Sequence, residues 1–262
     1  MATSAADRAR PTRGDDEPAF VVRYRRPARL FHAAIYIVTF VLLGTGWWLR
    51  SGREGDPSIL ASVVGIADVE IHRRAGWIFV AIVAVGVTLG FRAAFTFVRE
   101  TVRVNRSDGA WFRRWPRGAL TGRFAPHRGH FDPGQRIVNV AFVATLGTLI
   151  VTGVSLTTTH GGPLFVTLSR VHRGATYILT VLVAAHVLIA VGILPGYRGA
   201  WRSMHGRGRT PIDVARRLWP ASLVPQKTGG SPRCEPESAA STIGETQRSR
   251  AVLGSLEGDT QR

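Results

Sequence analysis

Four histidines stand in or against long apolar stretches of this 262-residue chain: His32, His72, His172 and His186. An ionisable side chain at membrane depth is costly, so its default reading is functional, with a partner to be named. His172 and His186 are fourteen residues apart, which on one helix leaves them within about 40° of each other and about 21 Å apart along the axis. That helix therefore presents imidazoles at two depths on one face. Two facing imidazoles without a carboxylate or thiolate make a poor zinc site, which usually needs four ligands. They suit the two axial positions of a haem iron. The single cysteine, Cys234, excludes an intrachain disulfide, a CxxCH haem attachment and a cysteine-ligated iron–sulfur cluster.

The elements that must position these histidines are apolar runs of about 20 residues: Leu30 to Leu49, Ala75 to Phe97, Ile137 to Leu156 and Ala175 to Leu194. Each covers the roughly 30 Å of a bilayer's hydrocarbon layer. Arg92 is the only basic side chain within them, and no carboxylate occurs there. The fold class is therefore an all-α integral membrane protein, a four-transmembrane-helix bundle.

Charge gives the orientation. The chain carries 34 basic and 17 acidic side chains, a formal charge of +17, yet is 45% apolar. Of the basic residues, 27 lie before the first run, between the second and third, or after the fourth. By the positive-inside bias, both termini and the second loop are cytoplasmic, as expected of four spans in the inner cell membrane. The same segregation explains the charge better than nucleic-acid binding does. All seven tryptophans lie at run ends or in flanking basic segments, consistent with the headgroup layer. The first run is too long for a signal core and no cleavage site follows it. Residues 1–19 and 223–262, rich in Ser, Gly, Thr, Glu and Arg, read as disordered tails around one membrane domain, 20–222. No internal repeat is evident.

This topology pairs the histidines by depth. His72 is level with His172 on the outer side, and His32 is level with His186 on the inner side, so the bundle is expected to hold two b-type haems. Arg29, one turn before His32, and Arg73 and Arg74, beside His72, are placed to pair with haem propionates. Positive-inside anchoring also accounts for Arg29 but leaves Arg73 and Arg74 unexplained. Gly44, Gly46, Gly76, Gly147, Gly153 and Gly174 would let a flat macrocycle approach the backbone, or serve ordinary helix packing. His127 and His130 lie where a quinone headgroup could approach. His160 reads as an outer-loop residue, and His205 lies outside the spans.

From about Val22 to Trp219 the chain resembles the membrane cytochrome b (gamma) subunit of respiratory formate dehydrogenase, within the wider group of bacterial di-haem b-type cytochromes. The marks are Arg29-Leu30-Phe31-His32, Ile71-His72 with Gly76, Gly134-Gln135-Arg136, Thr152-Gly153-Val154, the His172 and His186 pair, and the basic segment around Gly199, Met204 and Gly206. The resemblance implies the same two histidine pairs and a menaquinone pocket lined by Asp132, Gly134, Gln135 and His186. It implies as partners an iron–sulfur beta subunit and a molybdenum- or tungsten-dependent catalytic alpha subunit. Electrons from formate would pass inward through both haems to quinone, with protons taken from the cytoplasm. Asp132 replaces the family's usual asparagine and Ala33 an aromatic; the aspartate could accept protons that quinone reduction consumes. Rival members of the group are the cytochrome b subunits of a hydrogenase or thiosulfate reductase, and a stand-alone b561-type superoxide:quinone oxidoreductase. A haem-free scaffold or transporter is disfavoured by the absence of acids and prolines from the runs.

Overall fold

The computed structural model describes residues 20–51, 56–127 and 129–220. Both expected tails, with Cys234, lie outside the described residues. In chain order the elements are β1 (Phe20–Val22), α1 (Arg26–Arg50), α2 (Ile59–Val64), α3 (Asp68–Leu89), α4 (Phe91–Thr101), α5 (Asp108–Thr121), α6 (Pro133–Thr158), α7 (Gly162–Ala190), two short 3-10 turns, β2 (Arg209–Pro211) and α8 (Ile212–Leu218).

Among the described residues, four helices are long and apolar enough to cross a membrane: α1, α3, α6 and α7. Their burial pattern is inside out for a water-soluble protein. In α1 the buried side chains are Thr39 and Thr45, and in α6 they include Thr145 and Thr152. Ile37 and Phe40 of α1, and Ile137, Val140 and Val143 of α6, point outward at helical spacing. Hydrocarbon, not water, is the solvent that such a surface fits.

Packing is closest within two antiparallel hairpins, α1 with α3 and α6 with α7. Side-chain hydrogen bonds also join the hairpins: Trp47 Nε1 donates to Thr180 Oγ1 at 3.1 Å, and Arg50 Nε donates to the Tyr177 hydroxyl at 3.1 Å.

The end where α1 begins is closed by a polar cap. β1 pairs antiparallel with β2, Phe20 opposite Pro211, and Val214, Leu218 and Trp219 form a small core with Phe124, Tyr197 and Ala200. Trp115 Nε1 donates to the Tyr197 hydroxyl at 2.9 Å. Trp111 and Trp219 are buried in this cap rather than at a lipid interface, so the headgroup expectation fails for these two.

The runs located the spans but misplaced two of them. The second was expected over Ala75 to Phe97. Its helix begins at Asp68 and breaks at Gly90, where an added Cβ would lie 2.6 Å from the Gly86 carbonyl oxygen. Phe91 to Phe97 therefore belong to α4, whose Phe97 packs edge-on against Phe131. The fourth was expected over Ala175 to Leu194 but is Gly162–Ala190. Arg170 and Arg173 interrupt the apolar run without interrupting the helix, and Gly192, at φ +81°, turns the chain soon after it ends.

Candidate haem sites

His72, in the second turn of α3, faces His172 of α7. Their ring centres are 6.3 Å apart and the planes are nearly perpendicular, at 79°. Towards the cap, His32 of α1 faces His186 of α7 with the same 6.3 Å separation and a 52° tilt. A metal–imidazole bond is about 2.0–2.1 Å and each ring nitrogen lies about 1.1 Å from the ring centre, so two rings that would share one metal ion could have centres up to about 6.2–6.4 Å apart. Both pairs have that spacing.

Two threonines orient the far pair. Thr45 Oγ1 lies 2.9 Å from His72 Nδ1 and donates its own proton to the Val41 carbonyl at 2.8 Å. Its hydroxyl is thereby left to accept from Nδ1–H, which makes Nε2 the free nitrogen. Thr152 repeats this for His172, at 2.9 Å, while donating to the Thr148 carbonyl at 2.7 Å. The glycines that follow also match: a Cβ on Gly46 would lie 3.3 Å from His72 Cε1, and one on Gly153 would lie 3.3 Å from His172 Cε1. Each hairpin thus carries a Thr-Gly pair against its partner helix's histidine. Sequence reasoning reported no repeat, yet the dipeptides Thr45-Gly46 and Thr152-Gly153 were visible one hairpin apart.

A cavity of about 730 Å³ opens around His72 and His172, walled by Leu42, Phe79, Leu146 and Leu179 among others. Arg50, Arg73, Arg173 and His160 also line it. The donor set is two neutral nitrogens in an apolar slot with arginines among the lining, which fits a flat macrocycle bearing its own four equatorial ligands and anionic side groups. No group of three or more His, Cys, Asp or Glu side chains able to hold a bare metal ion occurs among the described residues. Of the arginines expected here, Arg73 and Arg74 both pair with Glu70, at 2.5 and 2.6 Å. Arg73 lines the cavity and Arg74 does not. Arg50 and Arg173 line it as well; the adjacency of Arg173 to His172 was the available signal.

At the near pair, Arg29 Nη1 is buried without a hydrogen-bond partner, and the Arg29 guanidinium lies where a side chain on Gly208 would project. An unpaired buried guanidinium nitrogen calls for an acceptor, as a propionate would supply. His205, outside the spans, lies edge-on to His32 with ring centres 6.2 Å apart and 5.9 Å from Tyr36. The turns at Gly192 and Gly199, both at positive φ, which bring the chain back after α7, gave no periodic signal.

The expected quinone residues form the start of α6. Asp132 is the N-cap, accepting from Gln135 N at 2.9 Å. Burial pushes its carboxyl above the ordinary aspartate value, against the opposing pull of the Gln135 amide and of His127. A Cβ on Gly134 would lie 2.9 Å from the Trp111 ring. The His186 ring packs on Phe142 instead, eight residues or about 12 Å along α6 from Gly134. Asp132, Gly134 and Gln135 are therefore grouped together, while His186 lies deeper. Burial lowers the pKa of His127 and His130, with Arg23 and, for His127, Arg136 adding to it.

Fold and site together define a helical membrane protein with two facing imidazole pairs stacked along one bundle. The chain belongs to the prokaryotic cytochrome b561 family, whose profile matches residues 23–207. It is a b561-type electron-transfer protein of the cytoplasmic membrane, and this family binds b-type haem, typically two per chain. No curated protein matches the chain.

Proposed function

We propose that this chain is the di-haem membrane subunit of a formate dehydrogenase, linking an outer iron–sulfur beta subunit and its molybdenum- or tungsten-dependent alpha subunit to membrane quinone. The observation that carries the two-haem reading is the common 6.3 Å ring separation of two histidine pairs on one bundle. His72 and His172 hold the outer haem, His32 and His186 the inner one. Arg73 and Arg29 serve the propionates; Arg73 and Arg74 both pair with Glu70, but only Arg73 lines the outer cavity. The membrane domain spans 20–222, with both termini cytoplasmic. Gly134-Gln135-Arg136 and the segment around Met204 support the formate dehydrogenase branch.

The bound haems supply one-electron transfer between the two ends of the bundle. The protein's own residues do the rest. Thr45 and Thr152 fix the histidine tautomers, and the apolar walls keep water from the imidazoles. Asp132, with its raised carboxyl pKa, keeps a proton to higher pH than an ordinary aspartate and can deliver it to menaquinone held near Gly134 and Gln135.

The family match keeps a second reading open, a stand-alone b561-type superoxide:quinone oxidoreductase. Formate added to native membranes decides between them. Reduction of the b-type spectrum by formate, and co-purification of an iron–sulfur partner, support the first. A two-haem spectrum that formate leaves oxidised supports the second, and absence of any b-type spectrum sinks both.

A further inference from the structure

The cap carries a basic pocket that the haem sites do not use. Its volume is about 590 Å³, and it is lined by the loop Gly122 to His127, by Asp213, Arg216 and Arg217, and by Pro220. Three guanidinium groups, on Arg123, Arg216 and Arg217, face one carboxylate. Arg217 is held in place by donating from Nη2 to the Arg198 carbonyl at 2.7 Å, and by Gly122, whose φ of +77° lets the loop cross 2.9 Å from its side chain at the Cβ position. Two buried nitrogens in this lining, Arg217 Nε and His127 Nε2, have no hydrogen-bond partner among the described residues. A buried unpaired donor is costly, so the pocket favours an acceptor, and the charge favours an anion. Guanidinium forks match phosphate oxygens in particular.

Depth identifies the source of the phosphate. Gly122 abuts Gly196, six residues beyond the end of α7, which puts the pocket just outside the apolar spans, at headgroup level. Leu120, two residues before the loop, is 62% exposed, an apolar rim of the kind an acyl chain would cover. We infer that Arg123, Arg216, Arg217 and His127 form a site for the phosphate of an anionic phospholipid headgroup. A basic pocket at the end of a helical bundle is the usual form of such a site.

Native mass spectrometry of the full-length protein tests this, after exchange into phosphatidylglycerol, phosphatidylcholine or inorganic phosphate. One phosphatidylglycerol is expected to stay bound where phosphatidylcholine washes away. Arg123→Gln with Arg216→Gln, both exposed positions, should lower retention about 30-fold, from the usual value of two surface arginines. The charge-keeping pair R123K/R216K should retain more, and R106Q, elsewhere on the surface, should match the wild type. Equal retention of the two lipids, or of wild type and the R123Q/R216Q variant, overturns the inference. So does binding of inorganic phosphate without retention of lipid, and so does equal loss in the Lys and Gln pairs together with a lowered melting temperature.

Discussion

Thr45 and His72 are joined by a 2.9 Å hydrogen bond between hydroxyl and Nδ1, and the bond survives because the hydroxyl spends its only proton on its own helix. Replacing Thr45 by Val keeps the shape and removes the acceptor. The expected outcome is haem retained at the outer site with affinity lowered about 10–100-fold, the usual cost of losing such a partner. Haem titration of the apoprotein measures it, and an unchanged affinity would sink the orienting role. Thr152→Val should behave alike.

Single histidine substitutions separate the two sites. His72→Ala and His172→Ala should each remove about half of the reducible b-type absorbance, the same half, and His32→Ala and His186→Ala the other. The pairing is wrong if His72→Ala and His186→Ala abolish the same component in spectroelectrochemical titration.

Gly46 and Gly153 present the same 3.3 Å clearance to their histidines. Alanine at either position makes the ring give way by a few tenths of an ångström, so each variant should lose about 1–3 kcal/mol of thermal stability in the holoprotein, the typical cost of overpacking. Calorimetry in detergent should find the two losses similar, and a marked difference would contradict the matched geometry.

Arg136 closes the Gly134-Gln135-Arg136 segment that supports the formate dehydrogenase branch, yet it is only 4% exposed. Its Nη2 pairs with Asp108 Oδ1 at 2.8 Å and its Nη1 donates to the Arg103 carbonyl. Its role is to tie the start of α6 to the α4–α5 turn. Arg136→Ala should destabilise by about 3–5 kcal/mol, because it leaves a carboxylate without its partner. Thermal melts read this directly; a loss under about 1 kcal/mol would place Asp108 in water.

Asp132 carries a pH signature. Burial raises its carboxyl pKa on folding, so the folded state binds more protons than the unfolded one. Its contribution is most favourable below the ordinary aspartate value of about 4, and declines as pH rises from there through the raised folded value. Asp132→Asn retains an N-cap acceptor and should flatten this slope and raise the melting temperature at neutral pH. Asp132→Ala also loses the cap, costing about 0.5–2 kcal/mol. Melting curves against pH check the sign, and a D132N slope equal to that of the wild type would refute it.

The sequence carried the four spans and both histidine pairs because hydropathy and a 3.6-residue period survive without tertiary context. It did not carry what depends on chain return. His205 reaches His32 only because the chain turns back at Gly192 and Gly199. Glu70 claims Arg74 because residues four apart share a helix face. The break at Gly90 lies inside a run that composition alone reads as continuous, and the depth difference between Gly134 and His186 required knowing that Phe142, not the first turn of α6, meets the imidazole.

The two-stranded clasp has a consequence for biogenesis. Phe20 finds its partner only at Pro211, so during synthesis the first strand must wait until all four spans have been made. The bundle can therefore enter the bilayer before its basal end is latched.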